Sequence, residues 1–112
     1  MRSALIVFAT LAVTASAAHA MGGPKSPADV ACGRVEGDAR TVTWHEPAGG
    51  PIHEYQTAVR VPKERVWTTV AKGADTAARV APAVAGLQVR VRARNGNGWS
   101  QWSKPVTCDG GA

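Results

Sequence analysis

The sequence predicts an all-β protein, a sandwich of two antiparallel sheets built from about seven short strands. Several segments rich in β-branched residues alternate apolar and polar side chains with period two, and helical periodicity is hard to find. Gly, Pro, Asn and Asp, the residues that favour turns, separate these segments at short intervals. Because each strand offers one apolar face, each sheet must bury that face against the other sheet.

A Glu-Gly-Asp-Ala turn separates the first and second predicted strands, and a loop separates the second and third. The loop contains two prolines and two glycines, which exclude it from a β-ladder. Val42 and Trp44 share one face of the second strand, and Tyr55 shares a face of the third with its alternate neighbours. We interpret Trp44 and Tyr55 as core residues. These strands comprise residues 29–35, 40–46 and 52–61.

The later strands include the clearest alternation in the chain. The fourth contains Trp67, and a Lys-Gly-Ala-Asp turn separates it from the fifth. On the sixth strand, four apolar residues point to one side, whereas Gln88 and three arginines point to the other. An Asn-Gly-Asn-Gly turn and the segment Trp-Ser-Gln-Trp-Ser follow this strand. The later strands comprise residues 65–71, 76–81 and 87–95, and a last strand runs through residues 104–108.

The N-terminus has the layout of a secretory signal peptide. Arg2 precedes an apolar run over residues 4–14, and Ala18-His19-Ala20 supplies the small-x-small end, which predicts cleavage after Ala20. A transmembrane anchor is the alternative, but it needs about 20 apolar residues and this run is shorter. We therefore expect residues 1–20 to direct export to the periplasm or out of the cell. We expect the mature chain to begin with a flexible leader, residues 21–26, and to have no transmembrane segment.

Two cysteines, Cys32 and Cys108, lie near the two ends of the mature chain. An even number of cysteines in an exported protein predicts a disulfide, and the alternative is a pair of buried thiols. A bridge closing so long a loop would stabilise the fold by roughly 4 kcal/mol on the chain-entropy model. The chain has no Cys-x-x-Cys, so a redox or metal site at these cysteines is not predicted.

The chain is basic, with 13 Lys and Arg against 8 Asp and Glu. This excess favours acidic partners, and export argues against nucleic acid among them. His45-Glu46 and His53-Glu54 flank the Pro/Gly loop, but their spacing matches no established metal motif. No nucleophile elbow or phosphate-binding loop is evident, and a small sandwich rarely has a cleft for catalysis. We therefore expect no cofactor, no metal and no enzymatic activity.

Residues 27–109 resemble the fibronectin type III domain. Pro27 opens the first strand, Trp44 ends the second, and the sixth strand ends in Ala-Arg-Asn-Gly-Asn-Gly, the most specific part of the resemblance. The resemblance implies a seven-stranded, immunoglobulin-like sandwich followed by a short tail, residues 110–112. It also implies that Cys32 and Cys108 approach the same pole.

Two departures from the family concern that pole. Leu87 stands where the family commonly has a tyrosine whose hydroxyl pins the preceding corner, and family members usually lack a disulfide. We hypothesise that the Cys32–Cys108 bridge compensates for the missing hydrogen bond.

The segment Trp-Ser-Gln-Trp-Ser is similar to the WSxWS box of class I cytokine receptors, and bacterial extracellular fibronectin modules carry similar boxes. In the receptors, the tryptophans interleave with arginines of the neighbouring strand. Alternate residues on a strand repeat at roughly 6.6 Å, which leaves room for an indole between two guanidinium groups. The resemblance thus implies a stack on one sheet face, and the candidate binding residues are Arg60, Trp67, Arg90, Arg92, Arg94, Trp99 and Trp102.

Two functions are compatible with this sequence. The first is an exported, monomeric adhesion or recognition module that binds an anionic glycan or a protein of the cell surface or envelope through the arginine and tryptophan face. The second is a structural or accessory subunit of an envelope or secreted complex, in which the same stack only stabilises the fold.

Overall fold

The computed structural model describes residues 23–109, and this part of the chain contains strands and no helix. The predicted signal peptide, the first two residues of the predicted leader and the predicted tail lie outside the described residues. No helix within residues 23–109 is long and apolar enough to cross a membrane. The strands are β1 Ala28–Glu36, β2 Ala39–His45, β3 Glu54–Arg60, β4 Thr68–Gly73, β5 Ala77–Val80, β6 Gln88–Asn95, β7 Gly98–Trp99 and β8 Val106–Thr107.

The strands form two antiparallel sheets, which confirms the predicted sandwich. One sheet has the order β1-β2-β5, and the other has the order β4-β3-β6-β7, with β8 also paired to β6. The predicted last strand, residues 104–108, is shortened to β8, and the end of the predicted turn together with the first tryptophan forms an additional short strand, β7; both pair with β6. Between β7 and β8, the hydroxyls of Ser100 and Ser103 accept hydrogen bonds from β6 that backbone carbonyls would accept in a regular strand.

The core lies between the two sheets. The inward residues Val89, Val91 and Ala93 of β6 are buried and the outward ones are half-buried, which is the alternation that the sequence predicts. Trp44 and Tyr55 lie edge to face in this core, with ring centres 5.3 Å apart. The buried apolar cluster comprises Val42, Trp44, Tyr55, Val59, Val80, Leu87, Val89, Val91, Ala93 and Cys108.

A disulfide joins Cys32 to Cys108, as predicted, and links residues 76 positions apart in the sequence. The Cys108 N–H donates to the Leu87 carbonyl over 2.7 Å, so the bridge lies beside Leu87. Arg40, buried near the same pole, donates to the carbonyls of Gly33 and Asp109 over 3.2 and 2.6 Å. The disulfide and this arginine both hold the C-terminal segment against the three-stranded sheet.

Candidate functional site

The seven candidate side chains form one continuous stack, hereafter the Arg/Trp stack, on the outer face of the five-stranded sheet. Guanidinium groups and indole rings alternate along it in the order Arg60, Trp67, Arg90, Trp102, Arg92, Trp99 and Arg94. The successive distances from guanidinium carbon to ring centre are 5.1, 4.2, 4.3, 4.6, 4.3 and 5.6 Å. These distances fall within the range of cation–π attraction.

The backbone explains why the stack forms. Alternation along β6 directs its three arginines outward, and their spacing of roughly 6.6 Å leaves a gap that one indole ring fills. Trp99 lies on β7, opposite Arg94 in the ladder, and Trp102 follows on the segment between β7 and β8. Trp67 directly precedes β4, on the opposite edge of the sheet. Tryptophans from both edges therefore meet arginines from the middle.

Strand β3 supplies a hydrogen-bond acceptor for two of these arginines. Gln56 lies opposite Arg92 and accepts from its Nε and Nη2 over 3.0 and 2.7 Å. Glu54 lies opposite Arg94 and forms an ion pair with it, with Oε1 3.0 Å from Nη2. Each of these guanidinium groups is thus fixed both by its stacking and by a cross-strand partner.

The third such pair is reversed between the two strands. Arg60 is on β3, and its Nε donates over 2.9 Å to Oε1 of Gln88, the residue opposite it on β6. Its Nη2 donates to the same oxygen. Three of the four arginines in the stack are therefore already partnered by residues of this chain.

Arg90 differs from the other arginines of the stack because the residue opposite it is Ala58, which has no side-chain acceptor. Its Nε is enclosed and has no hydrogen-bond partner among residues 23–109. Burial lowers the pKa of the Arg90 guanidinium, and the neighbouring charges of Arg92 and Arg60 lower it further. The centre of the stack therefore carries a cation whose hydrogen-bonding capacity is unused within the described chain.

The two serines of the segment Trp-Ser-Gln-Trp-Ser have a role that was not predicted from the sequence. Ser100 and Ser103 are buried, and their hydroxyl oxygens accept from the backbone N–H groups of Ala93 and Val91 over 2.9 and 3.0 Å. Their own N–H groups donate to the carbonyls of the same two residues over 2.7 and 2.8 Å. The repeat of serine after each tryptophan is the signal that indicates such pairing.

The described part of the predicted leader, residues 23–26, contacts the segment Trp-Ser-Gln-Trp-Ser. Pro24 is buried, and the Ser26 hydroxyl donates to the Gln101 carbonyl over 2.8 Å.

The two His-Glu pairs do not converge on one site. His45 Nδ1 lies 2.8 Å from Asp29 Oδ2, at the exposed end of β2, whereas Glu54 is paired with Arg94 on the Arg/Trp stack. Among residues 23–109 no group of three or more His, Cys, Asp or Glu side chains is placed to hold a metal ion.

The fibronectin type III domain family model matches residues 25–109. A crystal structure of titin domains is similar, with a TM-score of 0.68 and 28% identity over 78% of this chain and 32% of that chain. A structure of titin kinase and its flanking domains has a TM-score of 0.65 and 30% identity over 73% of this chain and 16% of that chain. A myokine structure with 15% identity shows the fold alone, with a TM-score of 0.67 over 80% of this chain and 99% of that chain. No curated protein matches the chain.

Proposed function

This chain belongs to the fibronectin type III domain family, and on that premise we propose that it is an exported recognition module that binds an anionic glycan. The observation that carries the proposal is the unbroken Arg/Trp stack, which aligns four guanidinium groups on one outer sheet face. One carboxylate, Glu54, pairs with this set of charges, so the face is positive on balance.

A linear polyanion suits this face better than a folded protein does. A protein interface draws most of its affinity from a few anchors, commonly Trp, Tyr and Arg, that enter well-packed, desolvated pockets. Here guanidinium groups already cover the indole faces, so the rings offer little free apolar surface. What the face presents is a row of fixed cations that repeats at roughly 6.6 Å along β6, and a chain of regularly spaced anions can follow such a row.

The proposal is tested by titrating the mature domain with heparin and following tryptophan fluorescence at low and moderate salt. We expect saturable quenching that weakens as salt increases, because screening reduces the attraction between the cations and the polyanion. A double variant, Arg90→Ser with Arg92→Ser, should abolish the response.

The matched control removes the same charge from the other sheet. Arg34 on β1 and Arg79 on β5 are exposed and lie outside the stack, so Arg34→Ser with Arg79→Ser should retain binding. Equal losses in the two double variants would show only a general response to net charge and would contradict a site on the stack. Retained binding of an acidic protein partner without heparin binding would redirect the proposal to protein recognition.

A second function, that of an accessory subunit in an envelope or secreted complex, is favoured by one specific observation. Arg60, Arg92 and Arg94 already donate to acceptors within this chain, as expected of a stack that serves stability alone. In that case the stack variants would lower the melting temperature, and partner binding would persist in those that still fold. Co-purification with an envelope assembly, unaffected by the Arg90→Ser change, would support this second function.

A further inference from the structure

The cross-strand pairs beneath the Arg/Trp stack differ at a single position. Gln56, Glu54 and Gln88 each accept from an arginine opposite, whereas Ala58 faces Arg90 and accepts nothing. Ala58 is 1% exposed, so it lies beneath the stack and leaves no opening for solvent on that side.

The surroundings of Arg90 restrict how a ligand can reach it. The guanidinium carbon of Arg90 lies 4.2 Å from the ring centre of Trp67 and 4.3 Å from that of Trp102, so both indoles restrict access to it. Nε is enclosed, whereas the two terminal nitrogens are not enclosed and have no partner among residues 23–109. The donors left for a ligand are therefore those at the tip of the side chain, held between two indoles.

We infer that the tip of Arg90 is the oxyanion-binding subsite of this face and takes a carboxylate or sulfate group of the glycan. This inference rests on the proposed function and specifies which residue performs it. A guanidinium fork matches a planar carboxylate with two parallel hydrogen bonds, and a sulfate also presents pairs of oxygens to it. Arg92 and Arg94, whose Nε and Nη2 atoms already donate to Gln56 and Glu54, keep fewer free donors and act mainly as charges beside this subsite.

The electrostatics favour an anion at this point. Arg90 carries its charge in a partly desolvated position between Arg92 and Arg60, which is why its pKa is lowered. An oxyanion at the tip would offset both the lost hydration and the repulsion between like charges. The same oxyanion beside Arg92 would find two donor nitrogens, Nε and Nη2, already bonded to Gln56.

The test compares Arg90→Gln with Arg92→Gln in the mature domain. Both variants remove one charge and one guanidinium that lies between two tryptophans, so they are closely matched. We expect Arg90→Gln to weaken heparin binding about tenfold or more, because a charge-assisted hydrogen bond is lost. Arg92→Gln should weaken it only about twofold to threefold, because a screened neighbouring charge is lost.

A second variant tests the inference by a gain of binding. Gln56→Ala gives Arg92 the same kind of neighbour that Arg90 has in Ala58, so it should strengthen binding. Polygalacturonate, which carries only carboxylates, and dextran sulfate, which carries only sulfates, then distinguish which oxyanion the subsite prefers.

The possible outcomes separate the inference from the proposed function. Equal losses in Arg90→Gln and Arg92→Gln would overturn the inference and leave the proposed function intact, since the whole face would then act as a diffuse charge. Unchanged or weaker binding by folded Gln56→Ala would also overturn it, even if Arg90→Gln failed to fold. Absence of heparin binding by the wild-type domain would overturn both.

Discussion

Ser103 takes the place of a paired strand residue opposite Val91. Its N–H donates to the Val91 carbonyl over 2.8 Å, and its hydroxyl accepts from the Val91 N–H over 3.0 Å. Ser100 repeats the arrangement at Ala93. The two serines thus hold the segment between β7 and β8 against β6, and this attachment positions the tryptophan before each serine beside the outward arginines.

Ser103→Ala should lower the free energy of unfolding by about 1–3 kcal/mol, because the buried N–H of Val91 would lose its acceptor. Urea denaturation followed by far-ultraviolet circular dichroism measures the change. Ser26→Ala is the control, since its hydroxyl also bonds to the backbone but at an exposed site, and its effect should be within about 0.5 kcal/mol. Equal effects of the two changes would show that the Ser103 hydroxyl does not support the strand.

Replacing both Cys32 and Cys108 by serine should lower stability by roughly 4 kcal/mol, because the bridge closes a long loop and restricts the unfolded chain. The bridge also lies beside Leu87, where it is the hypothesised substitute for a tyrosine hydrogen bond. Thermal melting with and without reductant measures the loss. An unchanged melting temperature would exclude that hypothesis.

The fold could be predicted from the sequence because it depends on local strand patterns, and the members of the Arg/Trp stack followed from the resemblance of Trp-Ser-Gln-Trp-Ser to the WSxWS box. Alternation along β6 determines which side chains point outward, and the Trp-Ser-x-Trp-Ser segment identifies the rings that lie beside them. Strand periodicity is a property of the backbone and does not require knowledge of the partner strand.

The hydrogen-bond partners of the stack could not be predicted from the sequence. Whether Gln56 or Ala58 faces Arg90 depends on the register between β3 and β6, which the packing of the whole sandwich fixes. A two-residue shift that placed Gln56 opposite Arg90 would preserve the inward and outward faces and would give Arg90 an acceptor. The burial of Arg40 was missed for a similar reason, because its shorter hydrogen bond is to the Asp109 carbonyl, 69 residues away along the chain.

Tyr55, the one tyrosine of the sequence, should ionise above its ordinary pKa of 10.0. Burial disfavours the phenolate, and the charge of Glu46 disfavours it further. A raised pKa in the folded state stabilises the domain fully below pH 10, and this contribution is lost as the pH rises through the folded pKa.

An alkaline titration of phenolate absorbance measures this pKa directly, and urea-unfolded protein is the reference. The midpoint in the folded domain should exceed that of the unfolded chain. The Tyr55 hydroxyl has no partner of good hydrogen-bond geometry among residues 23–109, although an interaction with the Trp44 side chain partly offsets the rise of its pKa. Tyr55→Phe should therefore change stability at neutral pH by less than about 1 kcal/mol. Coincident midpoints in folded and unfolded protein would show that the ring is not buried as described.

Arg92→Lys should destabilise the domain by about 1–2 kcal/mol although it retains the charge. The planar guanidinium of Arg92 lies between Trp99 and Trp102 and donates two hydrogen bonds to Gln56, and an ammonium group cannot reproduce this combination. Arg34→Lys makes the same change on an exposed part of β1 and should alter stability by less than about 0.5 kcal/mol. If the two lysine variants unfold at the same urea concentration, net charge rather than guanidinium geometry maintains the face, and the stack contributes little to the stability of the sandwich.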